Sequence, residues 1–302
     1  MNTNTATEYP KKTRELYNHF FDSRYWDDFK YRDGDLVIAT WAKSGTTWMQ
    51  QIASQIVHNG SEEVDLHGMS PWLDCRPFPI KDILAGLEAQ ENQRYIKTHL
   101  PADALNLNPK AKYICIVRDG RDAIWSFYNH WIHMSDGLYG LLNSNPEPEW
   151  SVIERPKGSA HEFYREWMET DGAVFNSYFD HIKSWWNVRH LPNVRLMHFN
   201  DLKKDLKGET LNTAEFLGIE KEGLNIDTIV EHCTFDYMKK NADKLVIGGD
   251  EFWEGGAKNF IHKGENNRWV DTLSSEEVEA FEKVAIERLG PECATWASSG
   301  ES

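Results

Sequence analysis

The chain has 302 residues and carries 33 Lys and Arg against 48 Asp and Glu, which gives a net charge of −15. That acidity excludes a non-specific nucleic-acid binder, because neutralising phosphates requires many Lys and Arg, and no run approaches the roughly 20 apolar residues that span a bilayer. The four widely spaced cysteines match neither a zinc pattern nor a dense disulfide framework, and the polar N-terminus lacks the apolar segment of a signal peptide, so we expect a reduced, cytoplasmic protein.

The predicted secondary structure alternates between short apolar strands and amphipathic helices. Apolar residues four positions apart predict helices, whereas short apolar runs with β-branched residues predict buried strands. Ser274 and Glu277 have the spacing of a capping box, which marks the start of the last helix. In chain order the predicted elements are a loose tail over 1–12, a helix over 14–29, a strand over 36–40, a helix over 47–57, an irregular segment over 67–86, a strand over 95–99, a strand over 112–117, a helix that ends near 131, a helix over 172–188, a strand over 194–199, short helices to about 240, and the capped helix to about 289.

Strands that alternate with helices predict an α/β fold, in which a central parallel sheet is covered by helices on both faces. No internal repeat, low-complexity linker or sharp change of composition divides the chain, so we expect a single domain over residues 1–302. The segments 135–158 and 242–268 contain several Gly residues and are expected to be mobile loops, because long loops are often functional or disordered.

The segment Lys43-Ser44-Gly45-Thr46-Thr47 lies between the first strong strand and a helix, where open α/β sheets bind ligands. Gly45 permits a tight turn, and the free N–H groups at a helix start favour an anion. Lys43 adds a positive charge, and the two threonines add hydroxyl donors. The order differs from the Walker pattern, in which Lys follows the second Gly. The alternative interpretation is an ordinary strand-to-helix turn.

Lys97 and His99 lie two positions apart on the strand predicted over 95–99. Residues at this spacing face the same side of a strand. A cation beside an imidazole lowers the imidazole pKa, which keeps the ring neutral and able to accept a proton near pH 7. The pair therefore indicates a general base, although a solvated surface strand is the alternative.

Arg118 ends the strand over 112–117, at the same sheet edge as Lys43, and Arg121 and Ser126 follow it. An Arg guanidinium can bind a phosphate through two parallel hydrogen bonds. The alternative is a surface network of these arginines with the neighbouring Asp119 and Asp122.

His262, Lys263 and Gly264 lie in the late Gly-rich segment. A Lys beside a Gly in a flexible loop can fold over a ligand. In an acidic chain, a local cluster of basic residues at strand ends implies an anionic ligand, such as a nucleotide with several phosphates. The residues expected to converge are Lys43, Lys97, Arg118, Arg121 and Lys263.

Together these segments resemble the cytosolic sulfotransferases, which use 3′-phosphoadenosine 5′-phosphosulfate (PAPS) as the sulfuryl donor. The resemblance covers four motifs in the family's order, between residues 43 and 269. These are Lys43 to Trp48, Lys97 to Pro101, Arg118 to Ser126, and Lys263-Gly264 followed by Trp269, with Phe235 to Asn241 as a further similar stretch.

The resemblance implies a P-loop architecture, similar to that of nucleoside kinases, and a role for each motif. His99 would be the general base that deprotonates the acceptor hydroxyl, Lys43 would stabilise charge on the leaving phosphate, and Lys97 would assist near the transferred group. No metal would be required. The resemblance further implies that Ser44, Gly45, Thr46 and Thr47 cradle the 5′-phosphosulfate, that Trp48 and Phe235 enclose the adenine, and that Arg118, Ser126, His262, Lys263 and Gly264 bind the 3′-phosphate.

The sequence departs from the family's pattern at His262, at Val270, at Ser275, which replaces a Val, and over the segment 60–94. His262 stands where the family usually has Arg, which weakens 3′-phosphate binding or makes it pH-dependent. Val270 replaces the Lys that begins the dimerisation stretch of many animal members, so we expect a monomer or a weak homodimer. The segment 60–94, where the family builds part of its acceptor pocket, has no clear match.

The expected reaction is sulfation of a hydroxyl on a small phenol or alcohol, with a carbohydrate or an amine as alternative acceptor. Two alternatives from other classes are a P-loop small-molecule kinase, which would bind ATP with Mg²⁺, and a nucleotide-binding module without catalysis. His130 and His133 lie three apart on a predicted helix but have no third ligand, so we expect no metal. Candidate pocket residues, each of which could instead be core, are Trp72, Phe78, Trp125, Tyr128, Trp131, His133 and Tyr139.

Overall fold

The computed structural model describes residues 8–172 and 175–301. At its centre lies a four-stranded sheet, parallel throughout, with the strand order β2-β1-β3-β4. The strands are β1 (Leu36–Thr40), β2 (Tyr95–Thr98), β3 (Lys112–Val117) and β4 (Val194–His198). The helices are α1 (Thr46–Val57), α2 (Leu66–Met69), α3 (Ile80–Ala89), α4 (Gly120–Ile132), α5 (Asp136–Leu142), α6 (Ala160–Thr170), α7 (Tyr178–Asn187), α8 (Phe199–Lys204), α9 (Leu206–Leu217), α10 (Ile226–His232), α11 (Phe235–Lys240), α12 (Ala242–Leu245), α13 (Gly249–Phe252), α14 (Ala257–Phe260), α15 (Ser275–Leu289) and α16 (Pro291–Ser299).

Both faces of the sheet are buried, because successive side chains of a strand point to opposite faces. In β1, Val37 and Ala39 pack into one apolar core, whereas Leu36 and Ile38 pack into the other. Side chains of α4, α6, α7, α15 and α16 cover the first face, and side chains of α1, α9 and α10 cover the second. The predicted α/β fold with helices on both faces is confirmed.

The helix predicted over residues 14–29 is wrong. This segment is irregular apart from a short 3₁₀ turn over Ser23–Trp26. The Asn18 side chain accepts hydrogen bonds from the backbone N–H groups of Phe20 and Phe21, and Asp22 caps the 3₁₀ turn. Such side-chain bonds to the backbone compete with a continuous helix. The apolar residues that suggested helical spacing instead fill the aromatic core, where Phe20 and Phe21 are buried.

The start of another predicted helix differs from the observed one because a side chain caps its first turn. The helix predicted over 172–188 begins only at Tyr178, because Ser177 caps its first turn. Val174, used for that prediction, lies outside the described residues, as do residues 1–7 of the predicted tail. The segments predicted to be irregular, 67–86, 135–158 and 242–268, all contain helical turns, although the mobility of the last two stays a prediction. The predicted capping box of Ser274 and Glu277 is present.

The topology fixes where a ligand would bind. β1 and β3 are adjacent in the sheet, and β2 lies on the other side of β1. The connections from β1 and β3 therefore diverge, and such a switch point leaves a crevice at the carboxyl ends of the strands. The loop 41–45 and the segment that begins at Arg118 both leave the sheet at this edge. Within the described part of the chain, no helix has the length and apolar character that crossing a membrane requires.

Candidate active site

A cavity of about 420 Å³ opens at the carboxyl edge of the sheet. This volume is in the range of small-molecule sites. It collects residues from all four sequence motifs, which are up to about 220 positions apart in the chain. Of the residues predicted to form the site, those that line the cavity are Lys43, Gly45, Thr46, Thr47, Trp48, Lys97, His99, Arg118, Ser126, Phe235, His262, Lys263 and Gly264. Ser44 lies buried directly behind this wall.

The loop after β1 turns sharply into α1. Lys43 has φ +62° and Gly45 has φ +111°, so both lie in the left-handed region, which Gly adopts without steric strain. A side chain at Gly45 would also meet the Phe199 ring at 3.2 Å. No side chain caps the start of α1. The hydroxyl of Ser44 is buried without a hydrogen-bond partner among the described residues, which leaves a donor for a ligand.

The Lys43 side chain contacts residues of α4 and α14. Its ammonium lies 3.4 Å from His130 Nδ1 and 3.9 Å from the centre of the Phe260 ring. Burial, followed by the charges of Lys97 and Arg118, lowers the pKa of Lys43 to about 7. An anionic ligand would counter these effects and favour the charged amine.

The tautomer of His99 follows from one hydrogen bond. Its Nδ1 lies 2.8 Å from the backbone carbonyl of Thr40, and a carbonyl can only accept, so Nδ1 carries the proton. Nε2 therefore keeps its lone pair. Burial, and then the charge of Lys97, hold the pKa of His99 well below its usual 6.5. The ring is neutral at pH 7 and can accept a proton. The Asn176 amide holds the His99 carbonyl at 2.9 Å.

Lys97 and His99 both line the cavity, as their spacing predicts, and Trp72 contacts both. The Lys97 ammonium lies 4.8 Å from the centre of the Trp72 ring, and the His99 ring meets the same indole at 4.9 Å and 88°. Burial lowers the pKa of Lys97, although Cys75 and Asp74 oppose this shift.

Arg118 is buried in the wall of the cavity, with most of its donors occupied. It donates to the carbonyls of Lys43 at 3.3 Å and Glu265 at 2.6 Å, and twice to the Asn266 side chain. Four of its five N–H groups are thus engaged. In this arrangement two-point binding of a phosphate requires residues 265–266 to move.

Arg121 does not line the cavity, so its predicted convergence with the other cations is wrong. Its guanidinium pairs with Asp119 at 2.6 Å and with Glu282 at 3.4 Å. It also lies between the rings of Trp269 and Phe281, at 3.9 Å and 4.9 Å. The alternative interpretation, an Arg–Asp network, holds for this residue.

The late loop, residues 262–264, forms part of the cavity wall beside Phe235. Gly264 has φ +64°, and a side chain there would meet the Phe235 ring at 2.8 Å. The backbone carbonyl of His262 accepts from Lys239 at 2.7 Å, and that of Gly264 accepts from Lys203 at 3.0 Å. Burial and the charge of Arg268 lower the pKa of His262, so it is neutral at pH 7.

The other end of the cavity is apolar. Its lining includes Phe20, Phe127, Met134, Leu142, Phe252 and Trp253. Of the candidate pocket residues, Trp72 and Phe78 line the cavity, whereas Trp125, Tyr128, Trp131, His133 and Tyr139 do not. For Trp125, Tyr128 and Trp131 the face of α4 explains this result, because residues 126, 127 and 130 of that helix face the cavity together.

Comparison with known proteins fixes the family. Residues 33–291 match the sulfotransferase domain model, and the chain is 31% identical to glycolipid sulfotransferase of Mycobacterium tuberculosis, with 97% of each chain covered. The chain belongs to the sulfotransferase family. This sulfotransferase is also 30% identical to sulfotransferase 1E1 of Cavia porcellus, with 89% of this chain and 88% of the relative covered. It shares its fold with mouse sulfotransferase SULT7A1 complexed with PAP, at a TM-score of 0.69 and 20% identity, over 96% and 97% of the two chains.

Membership of this family excludes the alternative of a P-loop kinase.

Sequence reasoning missed two polar residues of the sulfotransferase site. His130 lines the cavity beside Lys43, and its spacing of four from Ser126 was the available signal. Asp74 lies buried behind Trp72 and Thr98, and the sequence around it gives no such signal. No group of three or more His, Cys, Asp or Glu side chains suited to a metal occurs among the described residues.

Proposed function

We propose that this sulfotransferase transfers a sulfuryl group from PAPS to a hydroxyl of a largely apolar phenol or alcohol, with His99 as the general base. The observation that carries the proposal is the state of His99. Its Nδ1–H donates to Thr40, its lone pair at Nε2 is available, and the ring lines the cavity together with Lys43 and Lys97.

The residues present fit such a nucleotide. The uncapped start of α1 and the unpartnered Ser44 hydroxyl provide donors for a phosphosulfate. Two aromatic rings, Trp48 and Phe235, line the cavity and would enclose the adenine ring of PAPS. The residues that would hold the 5′-phosphosulfate are Ser44, Gly45, Thr46 and Thr47, and those for the 3′-phosphate are Arg118, Ser126, His262, Lys263 and Gly264.

Each polar side chain then has a defined task. PAPS supplies an activated sulfuryl group with a phosphate as its leaving group. Lys43 places a positive charge at the start of α1, where it stabilises negative charge that develops on that phosphate. Lys97, on the neighbouring strand, contributes a second charge beside His99.

His99 takes the proton of the acceptor hydroxyl at Nε2. The hydrogen bond from Nδ1 to Thr40 holds the ring in the orientation and tautomer that this task needs, and it stabilises the imidazolium that forms. General-base assistance of this kind contributes about 10²- to 10⁴-fold to the rate.

The apolar end of the cavity supports an acceptor with an apolar body. Phe20, Phe127 and Met134 line the region beyond His99, and burial of such groups favours apolar ligands. A second candidate is a glycolipid, because the relative from Mycobacterium tuberculosis is a glycolipid sulfotransferase. Its lipid part would suit the same apolar wall.

The test is direct assay of the purified protein with PAPS and panels of phenols, alcohols, glycolipids and amines, with the sulfated product detected by mass spectrometry. His99→Gln is expected to lose at least about 100-fold in kcat while its affinity for PAP is retained. The matched control is His133→Gln, since His133 does not line the cavity. Binding of PAP without any transfer to these acceptors would favour the module without catalysis.

A further inference from the structure

Asp74 is a fully buried carboxylate that joins three segments of the chain. Its Oδ2 accepts hydrogen bonds from Trp26 Nε1, at 2.8 Å, and from the Thr98 hydroxyl, and its Oδ1 accepts one from Trp72 Nε1. Burial raises the pKa of Asp74 to about 6, against these three hydrogen bonds, so the group is ionised at neutral pH. Burial of a charge is strongly unfavourable unless hydrogen bonds compensate it, and here the three donors supply that compensation.

Two of the three donors lead directly to the proposed catalytic residues. Thr98 lies between Lys97 and His99, and its hydroxyl also accepts from the backbone N–H of Leu100 at 3.0 Å. Trp72 contacts the Lys97 ammonium with its ring and the His99 imidazole at 4.9 Å. Backbone bonds fix the same arrangement, because Lys97 N–H donates to Pro71 at 2.9 Å and Leu73 N–H donates to Lys97 at 3.3 Å.

From this geometry we infer that Asp74 is a positioning residue for the transfer step: its carboxylate fixes Trp72 and Thr98, and through them the places of the Lys97 ammonium and the His99 imidazole. The inference rests on the function proposed above. Asp74 does not line the cavity, so its effect on the reaction would pass through Trp72 and Thr98.

A carboxylate suits this position better than an amide would. One oxygen accepts two donors and the other accepts a third, so an acceptor is needed on both sides. An indole N–H bound to an anion also gains electron density in its ring, which strengthens the attraction between that ring and the Lys97 ammonium.

The first test compares Asp74→Asn with a matched control. In Asp74→Asn the amide oxygen can still serve Trp26 and Thr98, but the NH₂ group then faces the Trp72 N–H and releases the indole. The control is Asp35→Asn, another buried carboxylate, which pairs with Arg94 at the amino end of β1, away from the cavity. Both variants are expected to lose thermal stability, because each breaks a buried polar contact.

Turnover separates the two variants. Asp74→Asn is expected to lower kcat about 10- to 100-fold, the scale of a small misplacement of reacting groups. Its KM for PAPS and its Kd for PAP stay near the wild-type values, because the nucleotide residues lie on other elements. Asp35→Asn keeps the wild-type kcat per folded molecule. Equal kcat values in wild type and Asp74→Asn would overturn the inference.

A second pair of variants applies if Asp74→Asn does not fold. Thr98→Ser keeps the hydroxyl that binds Asp74, whereas Thr98→Val keeps the shape without it. Thr98→Ser is expected to retain kcat and Thr98→Val to lose it. A loss of kcat in both variants, or in neither, would show that the hydrogen bond between the Thr98 hydroxyl and Asp74 does not position the catalytic groups.

A structural readout keeps the inference independent of turnover. The Trp72 ring shifts the NMR signals of the His99 imidazole protons, which can be assigned with His99→Gln. Asp74→Asn, or Thr98→Val in its place, is expected to move these signals, and Asp35→Asn is expected to leave them unchanged. Unmoved His99 signals would overturn the inference. If wild type shows no PAPS-dependent transfer but the His99 signals still move in Asp74→Asn, the proposed function is overturned and the positioning of His99 by Asp74 is not.

Discussion

The Lys43 ammonium lies 3.4 Å from Nδ1 of His130, and both residues line the cavity. An ammonium can only donate, so His130 must accept at Nδ1. Burial, and then the charges of Lys43 and Lys97, hold the pKa of His130 well below 6.5, which keeps that acceptor available at neutral pH. The contact with His130 therefore favours the charged form of Lys43 and holds its ammonium in place.

The affinity for PAP is expected to weaken as the pH rises through about 7, because free Lys43 loses its charge there. Above about pH 7, the Kd for PAP is expected to rise by up to about tenfold per pH unit. Lys43→Arg stays charged and is expected to remove most of this dependence. Calorimetric titrations with PAP between about pH 6 and pH 9 measure both. A wild type whose affinity does not vary over this range contradicts the prediction.

His130→Phe is expected to move the same transition to lower pH. The substitution keeps an aromatic ring but removes the acceptor of the Lys43 hydrogen bond, which favours the uncharged amine. A hydrogen bond to a charged group is worth about 1.5 kcal/mol, which corresponds to about one pKa unit. The titrations described for Lys43→Arg provide the measurement, with His133→Gln as the control. A transition that stays in place would show that this contact does not support the charge.

His262→Arg is expected to tighten PAP binding by about tenfold, the scale of one charge-assisted hydrogen bond to a phosphate. The pKa of His262 is lowered, mainly by burial, so wild type lacks this charge at pH 7 and gains it only as the pH falls. His190→Arg makes the same charge change at an exposed position elsewhere and serves as the control. AMP, which has no 3′-phosphate, should bind both variants as it binds wild type. An equal gain for AMP and PAP would place the effect outside the 3′-phosphate site.

Stability is expected to fall below about pH 6.5, because several buried histidines are neutral in the folded protein. Burial lowers the pKa of His181 to about 3. Its folded pKa is below the unfolded value, so the unfolded chain takes up the proton first. The contribution of each such group to the free energy of unfolding is therefore fully present above about pH 6.5. Below that pH it falls by up to about 1.4 kcal/mol per pH unit. Denaturant unfolding of wild type, His181→Leu and the exposed control His190→Gln measures the slope, which should be shallower in His181→Leu alone.

The sequence predicts the sheet and the convergence of the site because both depend on local patterns. β1 and β3 are runs of apolar residues, and the motif residues around Lys43 and Arg118 follow them directly, so parallel pairing must bring these residues to one edge. The motif spacing likewise placed Lys97 and His99 on one side of the cavity.

What the sequence did not reveal depends on tertiary packing. Arg121 lies three residues from Arg118, yet the two side chains diverge, because Arg118 directly follows β3 whereas Arg121 lies in the first turn of α4, where it pairs with Asp119 and packs against Trp269. The roles of Asp74 and His130 arise from contacts with residues distant in the chain: nothing local marks Asp74, and the helical spacing from Ser126 marks only the face of α4 on which His130 lies.

His99 and the loop 41–45 are joined by a short chain of hydroxyl contacts. Thr40 Oγ1 lies 2.5 Å from Thr46 Oγ1, at the first turn of α1, and 3.2 Å from His99 Nδ1. The spacing of the adjacent strands β1 and β2, about 4.8 Å, thus sets how far His99 lies from that loop. The apolar wall, by contrast, comes largely from α4 and from surface segments. We therefore expect that exchange of those segments changes which acceptors bind, while His99 and the loop 41–45 keep their places.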